Sequence, residues 1–273
     1  MTTPAGTPSL ARIRGALIDV DGTLLDGDAA IPGAAQALAR MRGRGIPFRI
    51  TTNTTRRPRR AIAAALRGAG IDAATAEILI PASLACARIV RSGKRRAGLL
   101  VPESSREDFG GVIVVEDRPD WVVVGDLGRE FTFDRLNLAF RWVQDGAGLI
   151  ALHKNRYWNA GERGRVLDAG PFVTALEFAT GREAEVVGKP SPAFFELALA
   201  DLGCNAADVV CIGDSLENDC VGAAAVGCLT ALVRTGLFDA AELEASGIRP
   251  DWCLDSIADL FGESDGAADG NQQ

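Results

Sequence analysis

Two stretches of alternating strand and helix, one near each end of the chain, constrain this sequence more than any other feature. Gly15 to Val20 (GALIDV) is a short apolar run ending in acid. Turn-forming residues follow, then a helix opened by Pro32 with Ala35, Leu38 and Met41 at helical spacing. Pro47 to Thr52 (PFRITT) reads as a second strand, and Pro58 introduces a helix that stops near Gly68 and Gly70. Strand, helix, strand, helix predicts a parallel sheet with helical crossovers. The rhythm resumes with a strand at Glu185–Val187, a helix from Pro192 to Leu202, a strand at Val209–Gly213, a helix through Ala223–Ala225, and strands at Leu229–Val233 and Trp252–Leu254. Both stretches are expected to share one α/β, doubly wound, Rossmann-like parallel sheet.

Between them, further strands are expected at Gly98–Val101, Val112–Val115, Trp121–Val124 and Leu149–Leu152, with helices around Phe133–Val143 and Phe172–Ala179. A segment with its own apolar strands and helices is a folded α/β insertion rather than a loop. The expected organisation is a flexible arm 1–13, a core of 14–73 and 185–262, an inserted α/β domain 74–184, and a disordered tail 263–273 without apolar periodicity. The length of 273 residues accommodates one large domain or two modest ones. Hydrophobic residues at 47% and charged residues at 24% exclude a disordered or fibrous chain.

Charge narrows the partners. Lys+Arg number 29 against 36 Asp+Glu, a formal net charge of −7, which is the wrong sign for coating nucleic acid or an anionic membrane. Small ligands or proteins are the expected partners. The first fifteen residues hold no apolar core of signal-peptide length, and no apolar run approaches the ~20 residues of a membrane span, so a soluble, cytoplasmic protein is expected. The six cysteines (Cys86, Cys204, Cys211, Cys220, Cys228 and Cys253) include no CxxC pair and read as buried thiols in a reducing compartment.

The chemistry-bearing residues sit at strand ends. In Asp19-Val20-Asp21-Gly22-Thr23, extended residues i and i+2 face one side, so both carboxylates share a pocket while Gly22 lets the chain turn sharply. Alone, such a pair reads equally as turn-forming acids. A second acid cluster, Gly213-Asp214 followed by Asp219 in GDSLEND, ends another apolar strand. Carboxylates converging at about 4 Å repel by roughly 4 kcal/mol at an effective dielectric near 20, so the cluster calls for a cation, and oxygen-only ligands favour Mg²⁺. Thr51-Thr52-Asn53-Thr54 closes the second strand with short hydrogen-bonding side chains, and Gly188-Lys189-Pro190 supplies an ammonium; both suit a phosphate, though TTNT is otherwise a loop or cap and GKP an exposed turn.

In this order, Asp19-Val20-Asp21-Gly22-Thr23, Thr52-Asn53, Lys189 and Gly213-Asp214 with Asp219 resemble the four motifs of the haloacid dehalogenase superfamily. Only 34 residues separate Asp19 from Asn53, whereas 136 separate Asn53 from Lys189, which is similar to the branch carrying an α/β cap inserted after the second motif. TTNTTRR, HKNRYW, GPFVTALEFATG and EVVGKPSPAFF resemble its subfamily IIA hydrolases, over about residues 14 to 261. The resemblance implies a Mg²⁺-dependent phosphatase acting on a small phosphorylated substrate, a phosphate ester or a P–N or pyrophosphate compound. By it, Asp19 is the nucleophile and Asp21 the general acid and base. Thr52 and Asn53 hold phosphoryl oxygens, Lys189 neutralises charge, and Asp19, Asp214 and the main-chain carbonyl of Asp21 hold Mg²⁺, with Gly22 and Asp219 in support. Ser215 stands where close relatives often carry a second aspartate. A homodimer through the cap is implied by the resemblance alone.

Other residues carry weaker signals. The Arg56–Arg60 run (RRPRR) reads as a solvated helix start or an attractor of anionic substrate. His153, the single histidine, reads as structural or surface, and no GxSxG accompanies it to suggest a serine hydrolase. Tyr157 and Trp158 read as a loop over the pocket or as core of the insertion. Two alternatives stay open at this level: a phosphotransferase or mutase using the same aspartyl-phosphate, and a binding protein that keeps the fold without turnover.

Overall fold

The computed structural model describes residues 12–159 and 164–261. The arm expected at 1–13 lies outside them apart from Arg12 and Ile13, and the tail expected at 263–273 lies wholly outside. The chain forms two compact units, one of residues up to Thr52, Ile62–Leu79 and Phe195 onward, the other of Asn53–Ala61 and Ile80–Phe194.

The first unit is built on a six-stranded parallel sheet of β1 (Gly15–Asp19), β4 (Phe48–Thr51), β5 (Ile78–Leu79), β13 (Val209–Gly213), β14 (Leu229–Val233) and β15 (Trp252–Leu254), in the spatial order β15-β14-β13-β1-β4-β5. A short antiparallel hairpin of β2 (Leu25–Asp26) and β3 (Ala29–Ala30) follows the first strand. All five residues of β1 and all five of β13 are buried. That is why, up to the terminal Asp19 of β1, they carry no polar alternation, as expected of strands covered on both faces. Helix α1 (Ala34–Gly43) buries Ala34, Ala37, Leu38 and Met41, a stripe at spacings of three and four; its face is set by Ala34 and Ala37 rather than by the half-buried Ala35. Helices α2 (Arg59–Gly68), α6 (Pro192–Leu202), α7 (Gly222–Ala225) and α8 (Ala240–Ser246) complete the crossovers.

The second unit carries a five-stranded parallel sheet of β6 (Arg96–Leu100), β7 (Ile113–Val114), β8 (Trp121–Val124), β9 (Gly148–Ala151) and β12 (Glu185–Val186), in the order β12-β9-β8-β6-β7. Helices α3 (Pro81–Arg91), α4 (Phe133–Gln144) and α5 (Ala169–Thr180) belong to it, with an antiparallel hairpin of β10 (Tyr157–Asn159) and β11 (Arg165–Leu167). Val122, Val124, Leu149 and Ala151 of the sheet pack with Val143 and Val173 of the helices in one core.

Two expectations change here. The strand at Glu185 does not return to the first sheet; it pairs with β9, Glu185 opposite Ile150 and Val186 opposite Ala151. The six cysteines are free thiols, but only Cys211, Cys220 and Cys228 are buried, while Cys86, Cys204 and Cys253 are half-buried. Apolar neighbours in sequence do not fix exposure where the strand or helix presents one face outward. Among the described residues, no helix is long and apolar enough to cross a membrane.

Candidate active site

The two central strands of the first sheet both end in acid. Ile18 and Ile212 are register partners, Asp19 is the last residue of β1, and Asp214 directly follows β13. Ligands of open parallel sheets bind outside these carboxyl ends. The chain after β13 coils through Leu216–Val221, where the Ser215 hydroxyl accepts the Asn218 N–H at 3.2 Å, and this returns Asp219 to the same place. One carboxylate oxygen from each of Asp19, Asp214 and Asp219 lies within 4.8 Å of the other two, and the residues are only 7%, 3% and 1% exposed.

Main-chain groups and glycines fix this cluster. The Leu237 N–H donates to Asp214 Oδ2 at 2.6 Å, and the Ser215 N–H to Asp219 Oδ2 at 3.1 Å. Thr235 donates its hydroxyl to the Gly22 carbonyl, tying the loop after β14 to the turn after β1. Gly22 (φ 82°) and Gly236 (φ 58°) close on Asp214 from two loops, and a Cβ on either would collide with its carboxylate; a Cβ on Gly213 would strike Asp219. Three buried carboxylates with oxygen donors only, packed against bare main chain, fit a hard divalent cation such as Mg²⁺. Thr235, Gly236 and Leu237 were not readable as site residues, although a glycine just past the apolar run of β14 is the signal that marks such a close approach.

Asp21 is exposed, and its carboxylate is not one of the three. The turn that carries it is held by the Gly22 N–H, which donates to the Leu25 carbonyl at 2.7 Å. Thr52 is buried one residue beyond β4. Its neighbour Thr51, the register partner of Asp19, buries a hydroxyl without a hydrogen-bond partner, as does Thr23.

Asn53 and Lys189 meet in the second unit. The Asn53 carboxamide accepts the Lys189 N–H at 2.9 Å and donates to the Lys189 carbonyl at 2.8 Å, so half of its hydrogen-bonding capacity is committed to that main chain. Lys189 is 2% exposed, which overturns the reading of GKP as an exposed turn. Gly188 is required here because a Cβ would meet the Leu152 carbonyl and Asn53 Oδ1.

The segment after Asn53 enters a polar network. Thr55 Oγ1 accepts the Asp126 N–H at 2.7 Å and lies 3.3 Å from His153 Nε2, while the Thr55 carbonyl accepts the Ser105 hydroxyl at 2.9 Å. His153 Nε2 also stands 3.7 Å from Asp168 Oδ1, and Asp168 caps α5 by accepting the Ala169 N–H at 2.7 Å. Burial holds the imidazole down to about 4 and pushes the Asp168 carboxyl up to about 6; burial also raises Asp126. His153 is therefore a buried, neutral group and not a surface one. The arginine run is more than a solvated helix start: Arg56 pairs with Asp126 at 3.5 Å and lies over Trp158, Arg59 grips Asp108 at 2.8 Å, and Arg60 reaches Glu107 at 3.4 Å. Tyr157 is exposed on β10, and Trp158 is half-buried beside it.

Comparison with known proteins agrees with this arrangement. Residues 16–112 match the family model described as haloacid dehalogenase-like hydrolase, and residues 186–260 match a second, described as HAD-hydrolase-like. The chain is 42% identical over 233 residues to the human haloacid dehalogenase-like hydrolase domain-containing protein 2, covering 85% of this chain and 88% of that one. It is 35% identical to the human phospholysine phosphohistidine inorganic pyrophosphate phosphatase over 256 residues, 92% of this chain and 93% of that protein. The p-nitrophenyl phosphatase from Archaeoglobus fulgidus superposes with a TM-score of 0.85 at 29% identity, covering 91% of this chain and 98% of that one.

Proposed function

We infer, from membership of the haloacid dehalogenase-like hydrolases, the family to which this chain belongs, that the protein is a Mg²⁺-dependent phosphatase for small phosphorylated substrates. The observation that carries the reading is the convergence of Asp19, Asp214 and Asp219 at the ends of the two central strands, buried and crowded by glycine. Asp19, Asp214 and the Asp21 carbonyl would hold the metal, with Asp219 beside them, and a bound Mg²⁺ would supply positive charge to the clustered carboxylates and the phosphoryl group.

A carboxylate oxygen of Asp19 attacks phosphorus, and the bond from phosphorus to the leaving oxygen or nitrogen breaks as the aspartyl-phosphate forms. Asp21, whose side chain is exposed, protonates the leaving atom. It then takes a proton from the water that attacks the acyl-phosphate, releasing inorganic phosphate and regenerating Asp19. By the family resemblance, Thr52, Asn53 and Lys189 would hold the phosphoryl oxygens, and Asn53 also sets the Lys189 main chain. The second unit acts as the cap that selects the leaving group. The chain's similarity to a phospholysine phosphohistidine inorganic pyrophosphate phosphatase is the reason to screen P–N and pyrophosphate compounds beside phosphate esters.

The test is hydrolysis of p-nitrophenyl phosphate with and without Mg²⁺. Asp19→Asn is expected to abolish turnover, and Asp21→Asn to lower it by about 10²–10⁴-fold, the usual contribution of a general acid–base group. Near-wild-type turnover in purified Asp19→Asn overturns the reading.

A further inference from the structure

We propose that Thr55 and His153 form a positioning pair that fixes the phosphate end of the site by holding the segment that carries Asn53 and, through it, Lys189. The inference rests on the phosphatase reading and deepens it. Asn53 brackets the Lys189 main chain from both sides, so wherever Asn53 moves, Lys189 must follow. Two residues of extended chain span at most about 7 Å, so a shift at Thr55 is transmitted directly to Asn53.

The segment is pinned at several points. Its far end is fixed by Arg59, whose main-chain N–H and Nε donate to the two Asp108 oxygens at 2.9 and 2.8 Å, and its middle by the Ser105 hydroxyl on the Thr55 carbonyl. The Thr55 hydroxyl pins the segment two residues from Asn53. It spends a lone pair on the Asp126 N–H. That leaves its proton to be directed at a second acceptor, and His153 Nε2 lies 3.3 Å away. A neutral imidazole accepts that proton when its own hydrogen sits on Nδ1. Nδ1 is buried and has no hydrogen-bond partner. A leucine at this position would avoid that cost, so the ring earns its place through Nε2. The charged and titratable groups around it are Asp126, Asp168 and, through Asp126, Arg56. His153 lies two residues past β9 and Asp126 two residues past β8, so the pair ties the Asn53 segment to the carboxyl ends of the second sheet.

Misplacing a catalytic group by about 1 Å can cost about 10²-fold in rate. Thr55→Val keeps the shape and removes the hydroxyl. It is expected to lower p-nitrophenyl phosphate turnover per folded molecule by about 10–10²-fold and to weaken inhibition by inorganic phosphate, while leaving half-saturation by Mg²⁺ unchanged. Thr55→Ser should restore both. His153→Leu should behave like Thr55→Val, and the double variant should lose no more than the worse single one, because coupled residues are not additive. His153→Leu is read in the same way if Thr55→Val does not fold. A lowered Tm with turnover and phosphate inhibition unchanged overturns the proposal and leaves the phosphatase reading standing. If the wild-type protein shows no Mg²⁺-dependent turnover, the phosphatase reading fails first, and calorimetric binding of inorganic phosphate decides the pair: weakened by Thr55→Val and restored by Thr55→Ser supports it, whereas unchanged or absent binding overturns it.

Discussion

At Gly22 the main chain takes φ 82° and passes so close to Asp214 that no side chain fits. Two separable penalties are therefore built into any substitution. The first is the left-handed backbone, worth about 1–2 kcal/mol for a residue with a Cβ. The second is collision with a carboxylate that the Leu237 N–H already holds, which displaces an oxygen from the acid cluster. Gly27 separates the two, since it has φ 60° with nothing within 4 Å of a would-be Cβ. Gly27→Ala should lose the backbone term alone, a Tm drop of about 2–8 °C at roughly 2–4 °C per kcal/mol for a chain of this size. Gly22→Ala should fall further and also lose the rise in Tm that saturating Mg²⁺ gives the wild-type protein. Thermal unfolding of the three proteins with and without Mg²⁺ checks this, and a full Mg²⁺ response in Gly22→Ala would show that the glycine serves the turn and not the metal site.

At the scale of elements, the end of β9 and the start of α5 bring His153 and Asp168 together with opposite linkage to pH. His153 ionises near 6.5 when unfolded and about 4 when buried, so between those values the unfolded chain binds the extra proton and stability rises with pH. Asp168 ionises near 3.8 unfolded and about 6 folded, so in nearly the same window the folded state holds the extra proton and stability falls with pH. Each shift is on the order of 3 kcal/mol at 1.36 kcal/mol per unit, so the two slopes largely cancel, with Asp126 adding to the Asp168 side. Asp168→Asn keeps a competent helix cap and removes one slope. Urea unfolding should then show stability climbing from pH 4 to 6.5 more steeply than in the wild type; parallel profiles would sink the assignment. None of this coupling is legible in sequence, because His153 and Asp168 flank different elements, β9 and α5, and meet only through folding. What was legible is what is local: β1, β4 and β13 as apolar runs, and Asp19 and Asp214 as the acids that end two of them. A two-residue strand such as β12 has no pattern to reveal which sheet it joins. Helix α3 carried a readable signal in Pro81 at its first turn and buried Leu84, Ala85 and Ile89, and it was obscured by the apolar residues on either side.

For the whole molecule, the net charge of −7 and the scarcity of lysine take on a structural meaning. Lys94, Lys154 and Lys189 are the only lysines. Lys154 pairs with Glu177 at 2.8 Å, whereas Lys189 is 2% exposed, so arginine supplies most of the surface cations and Lys189 is kept for the interior. The acid cluster and its main-chain donors belong to one compact unit, and Lys189, Asn53 and Thr55 to the other. Metal and phosphate should therefore be felt by different amides. Leu237 and Ser215 donate to Asp214 and Asp219, and Lys189 and Asp126 donate to Asn53 and Thr55. A ligand present at a hundred times its Kd stabilises the binding-competent state by about 2.7 kcal/mol, which slows exchange through local opening by about 10²-fold. Hydrogen exchange with Mg²⁺ alone should slow Leu237 and Ser215 and leave Lys189 and Asp126 at their original rates, and adding inorganic phosphate should then slow the second pair. If Mg²⁺ alone protects all four amides equally, the two units open as one cooperative body and their division of labour between metal and phosphate does not hold.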